Sequence, residues 1–208
     1  MTGRELAVTV VLFCLCDDAL QVLLAHGEDA AWQLPGQRLR PEEALEEAAN
    51  RLLANLIDRR EAYLEQLYTY GGAGRPAVSV AYFVLVPAEA QLVPGAAARW
   101  FPVAALPGLA GDGAEILGYA LRRLRYKLEY SAVGFQLLPG EFSLPELQHT
   151  YEIILGERLD KRNFRRRMLQ SGIIEPTGHR RLGEGRPARL YRYRPDAVAE
   201  VKARRLFP

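Results

Sequence analysis

The stretch that most constrains the fold of this chain spans residues 32–58, WQLPGQRLRPEEALEEAANRLLANLID. A Pro-Gly turn is followed by apolar residues that recur with the period of an amphipathic helix. Pro41 suits a first helical turn, and several glutamates place negative charge where the helix dipole favours anions. The pattern predicts a helix over roughly residues 41–57. The glutamates are Glu42, Glu43, Glu46 and Glu47.

The same stretch resembles the Nudix box, a loop-helix-loop motif. Its pattern is glycine, five residues, glutamate, seven residues, then Arg-Glu-aliphatic-x-Glu-Glu-x-Gly. Glu43 and Arg51 match this pattern, whereas Gln37 and Asp58 replace its first and last glycines. The positions of the family's three metal-binding glutamates are occupied by Leu52, Asn55 and Leu56.

This departure from the box determines the chemistry that we expect. Positions 52, 55 and 56 have the spacing of one helical face, which in the family holds magnesium against a pyrophosphate. Hard cations need oxygen ligands, and two leucines and an amide offer one neutral oxygen at most. We therefore predict a Nudix fold without catalytic residues, metal or cofactor. Two alternatives are an unrelated amphipathic helix and a hydrolase that uses Glu42, Glu46 or Glu47.

The flanking patterns predict an α/β/α sandwich with a mixed sheet, the fold that the Nudix resemblance implies. Strands are predicted at 6–15, 20–25, 63–70, 78–87 and 98–101, and a helix at 114–129. Cys14 and Cys16 should lie on one strand face as two reduced, buried thiols, as in a cytoplasmic protein. No apolar run has the length of a transmembrane helix, so we expect no membrane partner.

The charge distribution indicates two domains. Residues 158–194 carry 12 arginines and lysines against three acidic residues, whereas the rest carries 15 against 22. A basic C-terminal third suggests a partner with negative charge, namely nucleic acid. Gly and Pro in the segment SAVGFQLLPGE mark the junction. We therefore divide this α+β chain into domains at residues 1–138 and 139–208.

The C-terminal domain has the pattern of a winged helix-turn-helix. Ser143 and Glu146 form a capping box before the helix LPELQHTYEIIL, which Gly156 should end. Asp160 caps a second, basic helix, KRNFRRRMLQSG. Ile173 and Ile174 predict a short strand, and HRRLGEGRPARLYRYRP predicts a hairpin, the wing.

The basic helix can be oriented from its sequence. Phe164 and Met168 are four residues apart and should face the core, which places Arg166 on the opposite side. Arginine can bind guanine and asparagine can bind adenine. The lack of exposed aromatic residues favours duplex DNA over RNA. A solvated helix that binds nothing is the alternative. The DNA-binding candidates are Arg162, Asn163, Arg165 and Arg166 for bases, Lys161 and Arg167 for phosphates, and Arg180, Arg181, Arg186 and Arg189 on the wing.

Box, sandwich and winged helix together resemble the Nudix-related transcriptional regulators of NAD metabolism. The segments SLPELQHTYEIILG, NFRRR, TG and GRPARLY carry the closest match. The resemblance implies a homodimer on palindromic operator DNA, usually a repressor of NAD biosynthesis or salvage genes. It also implies a small-molecule effector, ADP-ribose or a related nucleotide, that is sensed and not cleaved. Related regulators respond to sugars, and a constitutive DNA-binding dimer with a ligand-blind Nudix fold is a further alternative.

Candidate effector contacts follow from position in the chain. Trp32 could stack on a base, although a tryptophan beside a Pro-Gly turn is more often part of a core. Arg75, in a Gly-rich loop, could pair with a phosphate or a carboxylate, although an exposed loop arginine without a partner is an equally good interpretation. Glu43 and Arg51 are eight residues apart, which is not ideal for pairing, and are largely structural in the family. Tyrosines on neighbouring strands could line or fill the cleft. The ligand-binding candidates are Trp32, Glu43, Arg51, Tyr70, Arg75 and Tyr82.

Overall fold

A computed structural model describes residues 5–27, 31–58, 62–71, 77–88, 90–130, 132–182 and 187–194. The chain divides into two compact units, Met1–Ala120 and Leu121–Pro208. Within the described residues, no helix is both long and apolar enough to cross a membrane.

The first unit contains a mixed β-sheet. In the described residues its strands are β1 (Glu5–Cys16), β2 (Ala19–His26), β3 (Trp32–Gln33), β4 (Gly36–Arg38), β5 (Tyr63–Tyr70), β6 (Ala77–Leu85) and β7 (Ala98–Pro102). The order is β3-β2-β1-β6-β5, with β4 added to β1 and β7 added to β2. β1 and β6 are parallel, whereas the other pairs are antiparallel. The helices of this unit are α1 (Leu45–Ala54) and the start of α2 (Gly113–Tyr130).

The two faces of this sheet have different neighbours, because successive side chains of a strand point to opposite sides. α1 packs on one face, where Val8, Val10 and Tyr82 are buried together with apolar residues of the helix. Thr9 and Ser79 lie on the other face, next to Ile116 in the first turns of α2. The box helix and the start of α2 therefore lie on opposite sides of the sheet.

The box helix is shorter than the sequence predicted. Ala44 is its N-cap, and the Glu47 carboxylate accepts a hydrogen bond from the Ala44 N–H at 3.1 Å. Pro41 lies in the turn before the helix, and Glu42 has a φ of 62°. The predicted bounds of 41–57 were wrong at both ends, because a local turn competes with the first helical turn and the chain leaves the helix after Ala54.

The two thiols lie on one face of β1, as predicted, with their Sγ atoms 2.9 Å apart. Cys14 is 1% exposed, and this burial raises the pKa of its thiol. Cys16 is only partly buried, so the prediction of two buried thiols was wrong for this residue. β1 ends at Cys16, and its last two residues are only partly buried.

The second unit contains the predicted helix-turn-helix and hairpin. The separate short strand predicted at Ile173 and Ile174 was wrong, because the first strand of the hairpin already begins at Ile174. After α2 come a 3-10 helix (Ala132–Leu137), β8 (Phe142–Ser143), α3 (Leu144–Leu155), α4 (Lys161–Gln170), β9 (Ile174–Arg181) and β10 (Ala188–Tyr193). In the described residues, the strands form an antiparallel sheet of order β8-β10-β9. The bounds predicted for α3 are confirmed. The core of the second unit buries Leu147, Tyr151, Phe164, Met168 and Leu190.

Candidate nucleic-acid interface and ligand cavity

The turn between α3 and α4 is held by side chains of α3. Gly156 has a φ of 76° and ends the helix, as predicted. The Glu152 carboxylate accepts hydrogen bonds from the Leu159 N–H at 2.8 Å and from the Gln148 amide at 2.9 Å. These two donors hold the pKa of the Glu152 carboxyl below its ordinary value. Because Gln148 also donates to the Leu159 carbonyl at 2.9 Å, the segment that leads into α4 is fixed to α3.

The orientation predicted for α4 is confirmed by burial. Phe164 is 2% exposed and Met168 is fully buried, whereas the polar residues of the opposite face are exposed. Asp160 accepts a hydrogen bond from the Asn163 N–H at 2.8 Å, as predicted for the N-cap. The Arg166 guanidinium donates to Asn163 Oδ1 at 3.0 Å. The exposed face of α4 consists of Lys161, Arg162, Asn163, Arg165 and Arg166, and Arg167 is partly buried.

Four cations line a groove between the start of α4 and the wing. Its volume is about 620 Å³, and its charged residues are Lys161, Arg165, Arg180 and Arg189. Arg180 and Arg189 are direct cross-strand partners, an arrangement of like charges that destabilises a sheet unless an anion compensates it. Within the described part of the chain, none of the four side chains forms an ion pair. The groove is therefore suited to a polyanion.

Two wing candidates remain, Arg181 and Arg186. Arg181 forms an ion pair with the Glu146 carboxylate and donates to the Glu141 carbonyl at 3.3 Å. The Glu141 carboxylate in turn lies 3.0 Å from His179 Nδ1. Arg186 lies outside the described residues. Arg181 is therefore compensated within the second unit, whereas its neighbour Arg180 lines the groove.

Glu43 and Arg51 form a bidentate ion pair in the first unit, with both N–O distances at 2.7 Å. The expectation that their spacing is not ideal for pairing was wrong. Glu43 lies on the turn before α1, so the spacing rules of a continuous helix do not apply to it. Arg51 and the Arg40 N–H hold the pKa of Glu43 at about 2. Gln37, at the family's glycine position, accepts a hydrogen bond from Arg51 at 2.7 Å.

The sequence pattern placed positions 52, 55 and 56 on one helical face, but the structure separates them by burial. α1 ends at Ala54 and Asn55 is its exposed C-cap, whereas Leu52 and Leu56 are each 7% exposed and belong to the core. In the described residues, no group of three His, Cys, Asp or Glu side chains could hold a metal ion. Two buried leucines do not fit the magnesium ion that the Nudix fold implies.

A cavity of about 410 Å³ lies on the opposite face of the sheet, beside the start of α2. The hydroxyl oxygens of Thr9 and Ser79 are 2.8 Å apart on its wall. The cavity is lined by Ala7, Thr9, Gln33, Leu34, Tyr70, Ala77, Ser79, Ala110, Gly111, Asp112, Gly113 and Ile116. Its mixture of apolar, hydroxyl, amide and carboxylate groups is that of a small-molecule site.

The effector candidates are not brought together. Among the candidates that the structure describes, Tyr70 alone lines the cavity. Tyr82 is 2% exposed and packs on the α1 side of the sheet. The ring of Trp32 contacts His26 in a tilted arrangement, with a centroid distance of 3.8 Å, and meets Phe101 edge-on. Arg75 lies outside the described residues.

Sequence reasoning missed most of the cavity wall. Thr9 and Ser79 are small hydroxyl residues within largely apolar strands, and their side chains meet because they are diagonal neighbours on the parallel strands β1 and β6. A polar residue inside an apolar strand is a signal that could have identified both. Gln33 and Asp112 lie outside regular helices and long strands, where periodicity gives no information.

Comparison with known proteins places this architecture in a family. A model of the NUDIX domain matches residues 5–124, and a model of the NrtR DNA-binding winged helix domain matches residues 134–193. The chain belongs to the NrtR family. These matches confirm the predicted fold class, a Nudix-like mixed sheet with helices followed by a winged helix.

Two relatives within the NrtR family cover nearly the whole chain, and a third covers its first unit. The ADPR responsive transcriptional repressor NtrR of Acinetobacter baylyi is 35% identical over an alignment of 203 positions, which covers 90% of this chain and 81% of that protein. Shewanella oneidensis NrtR complexed with a 27mer DNA has a TM-score of 0.84 at 35% identity, covering 93% and 95% of the two chains. The NUDIX domain of Shewanella oneidensis NrtR complexed with ADP ribose has a TM-score of 0.51 at 30% identity, covering 60% and 90%. Of these relatives, the Acinetobacter protein is named as a repressor, and the Shewanella structures contain DNA and ADP ribose.

Proposed function

We propose that this chain is an ADP-ribose-responsive transcriptional repressor without hydrolytic activity. The groove between α4 and the wing carries the proposal, because it gathers four cations that no described anion compensates. DNA-binding proteins release condensed counterions when such cations contact phosphates. The names of the Acinetobacter and Shewanella relatives support both the DNA and the ADP-ribose assignments.

The geometry suggests how contacts are divided at the DNA. Arg162, Asn163 and Arg166 are exposed on α4 and are proposed to meet base edges in the major groove. The groove cations are proposed to hold the sugar-phosphate backbone, which fixes the register of the helix on the duplex. Arg165 is accordingly proposed as a phosphate contact, because it lines the groove with Lys161.

The cavity in the first unit is the proposed effector site. Its volume of about 410 Å³ lies within the usual range for small-molecule pockets. Thr9 and Ser79 can bond to ribose hydroxyls, and Tyr70 offers an aromatic surface. Because Leu52 and Leu56 are buried on the opposite face, we expect ADP-ribose to bind without a divalent cation.

The assembly and the regulated genes are also proposals. We propose a cytoplasmic homodimer on palindromic DNA, because dimers of helix-turn-helix domains bind two symmetric half-sites. The domains are proposed to be residues 1–138 for sensing and dimerisation and 139–208 for DNA binding. Genes of NAD biosynthesis or salvage are the proposed targets, since an ADP-ribose sensor would report on the same pool of nucleotides.

In-vitro selection with the full chain tests the proposal. The chain is expected to enrich duplexes with a palindromic motif, and ADP-ribose is expected to release the enriched duplex in the presence of EDTA. A matched titration with free ribose shows whether release of the duplex requires the nucleotide part of ADP-ribose. The proposal would be contradicted if no motif were enriched. It would also be contradicted if the duplex were released only when magnesium-dependent cleavage destroys ADP-ribose.

A further inference from the structure

Neighbouring arginines at the end of β9 have different surroundings. Successive side chains of a strand point to opposite faces, so His179 and Arg181 share one face of the wing and Arg180 lies on the other. Arg180 and its cross-strand partner Arg189 line the basic groove. Arg181 does not line it, although the two arginines are adjacent in the sequence.

Two carboxylates on the other face hold His179 and Arg181. One oxygen of Glu146 accepts a hydrogen bond from the Ser143 N–H at 2.7 Å and completes the N-terminal cap of α3. The other oxygen of Glu146 accepts from the Arg181 guanidinium. Glu141 binds the same wing through its carbonyl to Arg181, at 3.3 Å, and through its carboxylate to His179 Nδ1, at 3.0 Å.

These contacts span the sheet. β8 and β9 are the outer strands of the order β8-β10-β9, and they are not hydrogen-bonded to each other. The ion pair of Arg181 and Glu146 therefore links the far strand of the wing to the start of α3. Lys161 and Arg165 of α4 lie on the other wall of the groove. The link sets the separation between the wing cations and those of α4, which must together match the spacing of backbone phosphates.

We propose that Arg181 is a positioning residue, which fixes the wing through Glu146, and that Arg180 is the phosphate contact. This inference rests on the proposed function, since it assigns roles within the same DNA interface. A charge already paired with a carboxylate releases few counterions when DNA binds, whereas an uncompensated cation contributes about one unit to the salt dependence.

Salt titrations of the full chain separate the two roles. The probes are a duplex selected by the wild-type chain and a scrambled duplex of the same composition. Arg180→Ala should lower the slope of log affinity against log salt by about one. Arg181→Ala should weaken binding about two- to fivefold and leave the slope unchanged, because it removes one exposed ion pair. Titration of each variant at a DNA concentration far above its dissociation constant measures the fraction of protein that can bind. Each affinity is corrected for this fraction.

Glu146→Gln provides the decisive comparison, because glutamine also serves at the third position of a capping box but has no charge. If Arg181 positions the wing, Glu146→Gln weakens binding, and adding it to Arg181→Ala causes no further loss. If Arg181 contacts DNA, Glu146→Gln frees a cation and tightens binding, and Arg181→Ala lowers the slope as Arg180→Ala does. Either of these last results would overturn the inference. If the wild-type chain selects no duplex, the proposed function fails and the inference fails with it.

Discussion

Restoring a family glutamate at position 52 should destabilise the first unit and create no metal site. Leu52 is 7% exposed and packs with Val8, Val10 and Tyr82 in the core between α1 and the sheet. Leu52→Glu removes a buried leucine, which costs about 1.5–3 kcal/mol in transfer free energy. It also places a carboxyl group in an apolar site, which costs about 1–3 kcal/mol even when the group is protonated.

The total expected loss in the free energy of unfolding is therefore about 2.5–6 kcal/mol. Asn55→Glu is the matched control from the same box. Asn55 is an exposed C-cap, so an added anion meets only the unfavourable end of the helix dipole, worth about 0.3–1 kcal/mol. The structure thus predicts very different costs at two positions that the family uses for the same ion.

Tryptophan fluorescence during urea unfolding measures this difference in the full chain. Both tryptophans of the chain, Trp32 and Trp100, belong to the first unit, so the signal reports on that unit. Burial raises the pKa of the introduced carboxyl, and its destabilisation should grow as pH rises above the unfolded pKa. Leu52→Gln should lower the free energy of unfolding by an amount that does not grow with pH. A loss below about 1 kcal/mol for Leu52→Glu, equal to that of Asn55→Glu, would refute the core assignment.

The remaining predictions concern catalysis, pH dependence and DNA recognition. With magnesium or manganese, the chain should release no AMP from ADP-ribose; turnover that is lost in Glu46→Gln would instead support a hydrolase with carboxylates outside the usual positions. Glu43→Gln should lower the melting temperature at pH 7. Arg51 lowers the pKa of Glu43 to about 2, so this stabilisation is present above the ordinary value of 4.5 and is lost as pH falls towards 2. A difference in melting temperature that persists unchanged at pH 2 would contradict this. Arg166→Ala should weaken binding to the selected duplex by about 1–3 kcal/mol and relax preference at one base pair. Its melting temperature should equal that of the wild type, because Arg166 is exposed opposite Phe164; wild-type affinity in this variant would show that Arg166 contacts no base.

The features that the sequence predicted well are those set by nearby residues. The helix 144–155 was predicted with its bounds because Ser143, Glu146 and Gly156 all act within one turn of its ends. The orientation of α4 followed from the spacing of Phe164 and Met168. Such signals act through the backbone over three or four residues, so they can be identified without knowledge of the tertiary structure.

The features that the sequence did not predict depend on contacts between distant segments. β4 and β8 have only three and two residues, and they are strands because β1 and β10 pair with them. A period cannot be detected over such lengths. Arg181 could not be distinguished from Arg180 by type or charge. The distinction comes from Glu146, which is 35 residues away in the chain.

Fluorescence anisotropy of a labelled, selected duplex with the full chain tests the central claim most directly. ADP-ribose that lowers DNA affinity must itself bind more weakly to the DNA-bound protein, because coupling between two binding sites is reciprocal. We predict that the chain binds this duplex and that ADP-ribose releases it in EDTA, with the nucleotide recovered intact. Binding that is unchanged at saturating ADP-ribose would contradict the account, as would release that requires magnesium and destroys the nucleotide.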